Sequence, residues 1–285
     1  MIPPWLQVPS LTEWEQKKLN PEFSDSRDVG LKDSVRVGWY QNDQNELFRG
    51  FPINSEDTVV DVGCGAGGAT LFCARRGAEI VYCDIGKENI DRLSEKIKET
   101  PARKHQGIVT DCMPLPLASD FATRVISMEM LEHVDDPAAV LAELVRIGKP
   151  GALYLISVPD AASENLQKPF ASPEYFQKPN HIHIFTSEEI TNLVKNAGLE
   201  VIEYTGYGFF WNIWMCIHWV CEKAAHSETK NISHNRVQPP YFPILDDWAA
   251  IWDKLLSLPQ ADTMMKALDQ LLPKSQIIIA RKPLD

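Results

Sequence analysis

The fold is decided by one short stretch, which runs Thr58-Val59-Val60-Asp61-Val62-Gly63-Cys64-Gly65-Ala66-Gly67-Gly68. It begins as a buried strand and breaks into a glycine-rich turn. The apolar run at 69–74 predicts that a helix follows, and Gly77 is placed to end that helix. Glycines let the backbone approach a ligand closely, and a helix start offers unpaired N–H groups. The stretch therefore predicts a strand–turn–helix unit with a ligand at its turn.

Two classes of ligand fit this turn. Read literally, Gly63, Gly65 and Gly68 satisfy the G-x-G-x-x-G pattern of dinucleotide-binding folds, and Asp84 ends the next predicted strand where a ribose-binding acid belongs. Asp61 favours another ligand, because a carboxylate beside the turn repels pyrophosphate and attracts ammonium and sulfonium groups. With Asp61 included, the run resembles the first motif of class I methyltransferases that use S-adenosylmethionine (SAM).

Composition limits the classes of function. The 285 residues have a formal net charge of −11 and no lysine or arginine cluster, so no nucleic-acid partner is expected. The six cysteines are scattered without a C-x-x-C pair, which fits a reducing compartment and predicts no metal site. The N-terminus lacks the features of a signal peptide, and no apolar run is long enough to span a bilayer. These features predict a soluble, cytoplasmic protein.

Strand and helix patterns alternate from residue 53 to about 206, which predicts an α/β fold. We expect a doubly wound, mostly parallel, seven-stranded sheet. The predicted strands cover residues 59–62, 79–84, 107–110, 124–128, 153–158, 201–204 and 276–280. Because the last strand comes only after a helical stretch, that stretch is interpreted as an insertion between strands six and seven.

Four parts of the chain are predicted from these patterns. They are an N-terminal helical leader or cap at 1–52 with helices near 11–19 and 39–50, a cofactor-binding core at 53–206, an aromatic helical insertion at 207–273, and the final core strand at 274–285.

The insertion has an unusual composition. It contains an aromatic run at 209–220, a polar stretch at 223–237 that predicts a loop, and two amphipathic helices near 248–255 and 265–272. All eight tryptophans lie outside residues 53–207. Such rings either join the leader and insertion to the core or line a pocket for the acceptor substrate. The aromatic run is too short to span a membrane, but it could lie in the interface at the inner membrane face.

Three further segments make the family resemblance specific. The runs at 109–116, 128–134 and 180–186 resemble corresponding segments of the quinone-methyltransferase-like branch (methyltransferase domain type 11) of the class I SAM-dependent superfamily. One departure is that this branch usually has Phe-Asp just before strand four, where this chain has Ala122-Thr123. The resemblance covers residues 53–205 and the terminal strand.

The resemblance implies a set of cofactor-binding residues. Asp61 and the backbone of the turn would hold the amino-acid part of SAM, Asp84 would accept from the ribose hydroxyls, and Asp111 with the Cys112 N–H would bind the adenine edge. The full set is Asp61, Gly63, Gly65, Gly67, Asp84, Ile85, Asp111, Cys112 and Glu129. Taken singly, such acids also serve as strand-end caps, turn formers or solvated charges.

Three histidines are candidates for a general base, which a hydroxyl nucleophile needs. His133 follows strand four, and His181 and His183 alternate on one face of an extended segment. Structural packing is the alternative role for each of them. No acidic or cysteine partner is spaced with them as metal ligands are, so no metal is expected.

The sequence leaves three functions open. The first is SAM-dependent O-methylation of a small-molecule, saccharide or lipid-linked glycan acceptor by in-line displacement, releasing S-adenosylhomocysteine. The second is an NAD-binding oxidoreductase. The third is a SAM-binding module without catalytic activity, whose insertion serves a partner or a regulatory ligand.

Overall fold

The computed structural model describes residues 3–20, 22–225 and 239–284. The polar stretch predicted as a loop at 223–237 falls largely outside these residues, and its first three residues continue a helix instead. The chain forms two compact units. We call them the sheet unit (Gly38–Pro159, His183–Thr205 and Gln276–Asp285) and the helical unit (Met1–Val37, Asp160–Ile182 and Gly206–Ser275).

The described residues form ten strands and ten α-helices. The strands are β1 (Trp39–Gln41), β2 (Glu46–Phe48), β3 (Phe51–Pro52), β4 (Thr58–Val62), β5 (Glu79–Asp84), β6 (Lys104–Val109), β7 (Ala122–Met128), β8 (Gly148–Pro159), β9 (Glu200–Tyr207) and β10 (Ser275–Arg281). The helices are α1 (Leu11–Lys17), α2 (Ser26–Val37), α3 (Gly68–Ala74), α4 (Lys87–Ile97), α5 (Pro137–Ile147), α6 (Ala161–Gln167), α7 (Ser187–Asn196), α8 (Phe209–Ala225), α9 (Pro243–Leu256) and α10 (Ala261–Leu271).

The predicted seven-stranded sheet is confirmed. Its strand order is β6-β5-β4-β7-β8-β10-β9, and the pairs β4–β5, β4–β7, β5–β6 and β7–β8 are parallel. The central strands are buried on both faces, as their continuous apolar runs require. In β4, for example, Val59, Val60 and Val62 are all inaccessible to solvent. Strand five was predicted too short, because the Lys149-Pro150-Gly151 turn lies within β8.

The helix predicted at 39–50 is wrong. These residues form β1 and β2, and β2 pairs with both β1 and β3 in a small antiparallel sheet. Trp39, Phe48 and Phe51 are buried by this arrangement, and aromatic residues favour strands that pack on one face. The helix of this region is α2, which precedes the hairpin. The units also cross the predicted boundaries: residues 38–52 belong to the sheet unit and residues 160–182 to the helical unit.

The helical unit has its own core, in which aromatic rings dominate. The fully buried rings are those of Trp14, Phe210, Trp214, Trp219 and Trp252. Helix α2 packs closely on α8 at Gly30, where an added Cβ would lie 2.0 Å from the Trp211 ring.

The aromatic run at 209–220 lies in α8 and contributes its rings to this core. The two indoles of Trp214 and Trp219 are enclosed, and of the whole run only Val220 is more than half exposed. Membrane contact through this run therefore stays a prediction, and the burial of the Trp214 and Trp219 indoles gives it no support. In the described parts of the chain, no helix combines the length and apolarity needed to cross a bilayer.

Candidate cofactor and catalytic site

The glycine-rich turn leaves β4 and folds back on the end of β5. The N–H groups of Gly63 and Cys64 both donate to the Cys83 carbonyl at 2.9 Å. Gly67 has a φ of +83°, and a Cβ there would lie 2.4 Å from a methyl carbon of Leu93 on α4. At Gly63 the φ is +78°, and a Cβ would approach Met130 to 2.7 Å. The turn therefore needs glycine for both its backbone conformation and its packing.

Asp84 ends β5 and fixes the turn. Its Oδ2 accepts from the Gly65 N–H at 2.8 Å, and its Oδ1 accepts from the Gly86 N–H at 2.7 Å and from Asn89 Nδ2 at 3.2 Å. One carboxylate thus connects the turn after β4 with the turn after β5. The next residue, Ile85, exposes 78% of its surface, which is unusual for an isoleucine beside buried strands.

Asp61 is enclosed rather than open to solvent. It is 3% exposed, and its Oδ2 accepts from the Thr70 hydroxyl at 2.5 Å. Burial raises the pKa of Asp61 to about 6, with the nearby charge of Asp84 adding to the effect and the Thr70 hydrogen bond opposing it. A buried carboxylate with a raised pKa gains from a cationic ligand, because the ligand charge favours its ionised form.

The segment after β6 carries Asp111 and Cys112. Asp111 is exposed, and its Oδ1 accepts from the Met113 N–H at 3.1 Å. Cys112 has a φ of +71°, and its N–H donates to the Thr110 hydroxyl at 3.0 Å. The Cys112 N–H, which was predicted to bind adenine, therefore donates to Thr110 in this structure.

Glu129 follows β7 in a strained backbone conformation. Its φ is +51°, its N–H donates to the Ser157 carbonyl at 2.9 Å, and its Oε1 accepts from the Ser157 hydroxyl at 3.1 Å. Non-glycine residues in this region of φ are uncommon and concentrate at functional sites. Glu129 after β7 and Cys112 in the segment after β6 both have a positive φ.

Thr123 accounts for the departure from the usual Phe-Asp pair. Its hydroxyl donates to Asp57 Oδ1 at 2.7 Å and accepts from the Thr58 N–H at 3.1 Å. Arg124 lies 3.2 Å from the same Asp57 oxygen. The polar contacts at the start of β7 are therefore made by the Thr123 hydroxyl together with Asp57, an acid from the turn before β4.

The predicted histidines are divided between the two units. His133 and His183 belong to the sheet unit, whereas His181 belongs to the helical unit. His133 is partly exposed, with Nε2 3.6 Å from Oε1 of the neighbouring Glu132. The structure thus does not bring the three rings together within one unit.

His183 is held against the segment that follows β7. The ring atom Nε2 lies 2.8 Å from the Val134 carbonyl, and the backbone N–H of His183 donates to the Glu132 carbonyl at 3.2 Å. A carbonyl only accepts, so Nε2 carries the proton and Nδ1 holds the lone pair of the neutral ring. Among the described residues, Nδ1 makes no hydrogen bond.

His181 is buried and paired with Glu164, a residue that sequence analysis missed. His181 Nδ1 lies 3.0 Å from Glu164 Oε2, and the Tyr175 hydroxyl donates to Glu164 Oε1 at 3.3 Å. The Tyr175 and His181 rings are 4.2 Å apart. Glu164 lies on α6, 17 residues before the histidine, and no spacing pattern marks such a pair in the sequence.

Comparisons with known proteins agree with this geometry. Residues 40–204 match the model of a family described as a methyltransferase domain. A ubiquinone biosynthesis O-methyltransferase of Methylococcus capsulatus is 29% identical over 53% of this chain and 66% of its own length. One of Psychrobacter arcticus is 35% identical over 45% of this chain and 49% of its own. The chain thus spans about half to two thirds of these relatives.

Solved structures share the fold. A methyltransferase structure from Bacillus halodurans superposes with a TM-score of 0.53 at 15% identity, covering 81% of this chain and 94% of that one. The cyclase SpnF gives the same TM-score at 17% identity, covering 92% of this chain and 98% of that one. Because one neighbour is described as a cyclase, the fold alone does not define a reaction.

The sheet order and the glycine-rich turn define a Rossmann-like methyltransferase fold. The chain belongs to the methyltransferase-domain family of class I SAM-dependent enzymes. SAM is accordingly its cofactor, and the NAD alternative is set aside. The turn fits this cofactor, because Asp61 is a buried carboxylate suited to a cationic ligand and two of the glycines leave no room for a Cβ.

Proposed function

We propose that this protein transfers the SAM methyl group to a hydroxyl oxygen of a small-molecule acceptor. The observation that carries the proposal is the Asp84 carboxylate, which holds the turn after β4 against the end of β5 in a chain whose residues 40–204 match a methyltransferase domain. The relatives named above as O-methyltransferases support oxygen as the accepting atom.

The cofactor residues keep the roles that the resemblance implies. In this proposal Asp61 and the turn of Gly63, Gly65 and Gly67 bind the amino-acid part of SAM, and Asp84 accepts from the ribose hydroxyls. Asp111 and the exposed Ile85 lie on the adenine side, and Glu129 borders the site after β7. Cys112 would need to release its N–H from Thr110 in order to bind adenine.

A phenolic hydroxyl is our first choice of acceptor. The relatives act in the biosynthesis of ubiquinone, and a phenol loses its proton more easily than a sugar alcohol. A saccharide or lipid-linked glycan, which the aromatic insertion had favoured, has less support because the rings of Trp14, Trp214, Trp219 and Trp252 are buried in the helical unit.

We assign the general base to His183. It shares the sheet unit with the glycine-rich turn, and its contact with the Val134 carbonyl leaves Nδ1 as the basic atom. In this mechanism Nδ1 removes the acceptor proton as the oxygen displaces the methyl group in line from sulfur. His133 and His181 stay predictions, each tested by its own alanine variant.

The deciding experiment measures transfer of labelled methyl from SAM to phenols, saccharides and lipid-linked glycans offered separately. We expect label in the phenol fraction, and a His183→Gln variant that binds SAM normally but loses at least about 100-fold in turnover. The matched control is His105→Gln on β6, which should keep its turnover. SAM binding without label in any fraction would overturn the proposal and favour a non-catalytic SAM-binding module.

A further inference from the structure

Tyr40 lies over the glycine-rich turn, although it comes from a part of the chain that the sequence motif does not include. It sits in β1, within the sheet unit. Its hydroxyl is 3.1 Å from the position that a Cβ on Gly68 would occupy. A larger residue at position 68 would therefore meet the phenol, and the space above the first residue of α3 is bounded by Tyr40.

The backbone of Tyr40 is strained. Its φ is +54°, a region in which a bulky residue is a genuine outlier. Such conformations cost about 1–3 kcal/mol and persist where the surroundings enforce them, often at ligand sites. The turn residues Asn42 and Asn45 are close in the chain, and asparagine would tolerate this φ more easily than tyrosine does. Backbone preference therefore does not explain why position 40 is a tyrosine, and a role of its side chain does.

The hairpin that carries Tyr40 is held firmly on α3. The Tyr40 ring lies 6.0 Å from the ring of Phe72, over which the Arg76 guanidinium stacks at 3.4 Å. Arg76 Nη2 in turn donates to Asn42 Oδ1 at 3.0 Å. The Tyr40 ring is thus positioned by its contact with Phe72, and the Arg76–Asn42 hydrogen bond ties the same hairpin to the end of α3.

The hydroxyl of Tyr40 is available to a ligand as a hydrogen-bond donor. Within the described residues it makes no hydrogen bond, although the side chain is half-buried. Burial and, secondly, the negative charge of Asp61 raise the pKa of Tyr40, so the phenol stays protonated and can donate. A half-buried donor beside a buried carboxylate suits a ligand that carries both an anionic and a cationic group.

We propose that Tyr40 is a cofactor-binding residue whose hydroxyl donates to the carboxylate of the amino-acid part of SAM. Asp61 takes the ammonium of the same part, so the two side chains would recognise the zwitterion together. This assignment rests on the proposed function only in that SAM occupies the turn; it holds whichever acceptor is methylated.

The test compares Tyr40→Phe with the wild-type chain by calorimetry. Phenylalanine keeps the ring contacts and removes only the donor. Three ligands are titrated: SAM, decarboxylated SAM, which lacks the carboxylate, and methylthioadenosine, which lacks the whole amino-acid part. We expect Tyr40→Phe to bind SAM about 10- to 100-fold more weakly and to bind the other two as the wild type does.

Tyr204→Phe is the matched control, because its hydroxyl donates to Gln276 at 2.9 Å in the same unit. It should bind all three ligands normally. Unchanged SAM affinity in Tyr40→Phe overturns the proposal, and so does equal weakening for methylthioadenosine or decarboxylated SAM. Failure of the wild-type chain to bind SAM would instead refute the proposed function, so the two failures are distinguishable.

Discussion

Asp84 holds the glycine-rich turn through backbone N–H groups and is our proposed partner of the ribose. We expect Asp84→Ala to weaken SAM binding by about 1–3 kcal/mol, because charge-assisted hydrogen bonds are lost. Isothermal titration calorimetry measures the change. The control is Asp91→Ala, which removes an exposed carboxylate paired with Lys87 on α4 and should leave the affinity unaltered. An Asp84 variant with wild-type affinity would refute its placement.

Asp61 makes cofactor binding depend on pH. Its pKa of about 6 means that it is largely protonated at pH 5 and ionised at pH 7. If it binds the SAM ammonium, affinity should rise from pH 5 to pH 7, and binding near pH 6 should release a proton. Titrations in two buffers with different ionisation enthalpies measure that proton. Proton release absent in the wild type, or unchanged in Asp61→Asn, would contradict this role.

The same carboxylate should lower stability at high pH. Its pKa is raised by burial, so the folded chain binds the proton more tightly than the unfolded chain, and stability falls as pH rises from about 4 to about 6. Asp61→Asn can still accept from Thr70 and carries no charge. We expect it to be about 1–3 kcal/mol more stable than the wild type in urea unfolding at pH 8. A less stable variant would contradict this account.

Among single residues, the positions of those at strand ends could be predicted from the sequence, whereas the contacts of residues distant in the chain could not. Asp61 and Asp84 were predictable because parallel strands bring their carboxyl ends to one edge. Tyr40 and Glu164 were not, because their significance comes from contacts with Gly68 and His181 that no local spacing encodes.

At the scale of helices, the contact of α2 with α8 depends on Gly30. An exposed helical glycine usually gains stability when it becomes alanine. Here the added methyl would lie 2.0 Å from the Trp211 ring, so Gly30→Ala should cost about 1–3 kcal/mol through overpacking. Urea unfolding measures the cost. Combining it with Trp211→Phe should recover part of the loss, whereas a stabilised Gly30→Ala would show that the ring moves freely.

The hairpin of β1 to β3 shows where element prediction fails. Residues 39–50 were predicted to form a helix, but Trp39 pairs with Phe48 across two strands. Periodicity over such a short window does not separate a helix from a hairpin with a four-residue turn. The longer strands were predictable because each is a continuous apolar run bounded by turn residues.

For the molecule as a whole, buried acids should make the chain more stable in mild acid than at pH 8. In the helical unit, burial raises the pKa of Asp33 to about 7 and that of Asp269 to about 6. Hydrogen bonds to each carboxylate oppose part of this increase. Such groups disfavour the folded state once ionised, so stability falls as pH rises from about 4 to about 7.

Asp33→Asn isolates this effect. Asparagine keeps the acceptor for the Trp252 indole, which donates to Asp33 Oδ1 at 2.8 Å. We expect the variant to be about 1–3 kcal/mol more stable than the wild type at pH 8, with a clearly smaller difference at pH 4.5. Unfolding curves at both pH values decide the matter, and equal stability at pH 8 would contradict the prediction.

The assignment of segments to units was the least predictable feature at this scale. Sequence periodicity reports which residues form an element, but not which cluster of side chains that element joins. Residues 160–182 read as part of the alternating core and yet pack with α8, where Ser163 and Gln167 share hydrogen bonds with Asn212. Contacts between residues about 50 positions apart decide that placement.

The strand order also has a consequence for biosynthesis. In the described sheet, β9 neighbours β10, and β10 lies between β8 and β9. A ribosome delivers β9 (Glu200–Tyr207) long before β10 (Ser275–Arg281), so the nascent chain holds an edge strand without its partner while some 70 residues are translated. During that interval the unpaired β9 can pair with other chains, and chaperones that recognise unpaired strands can bind it.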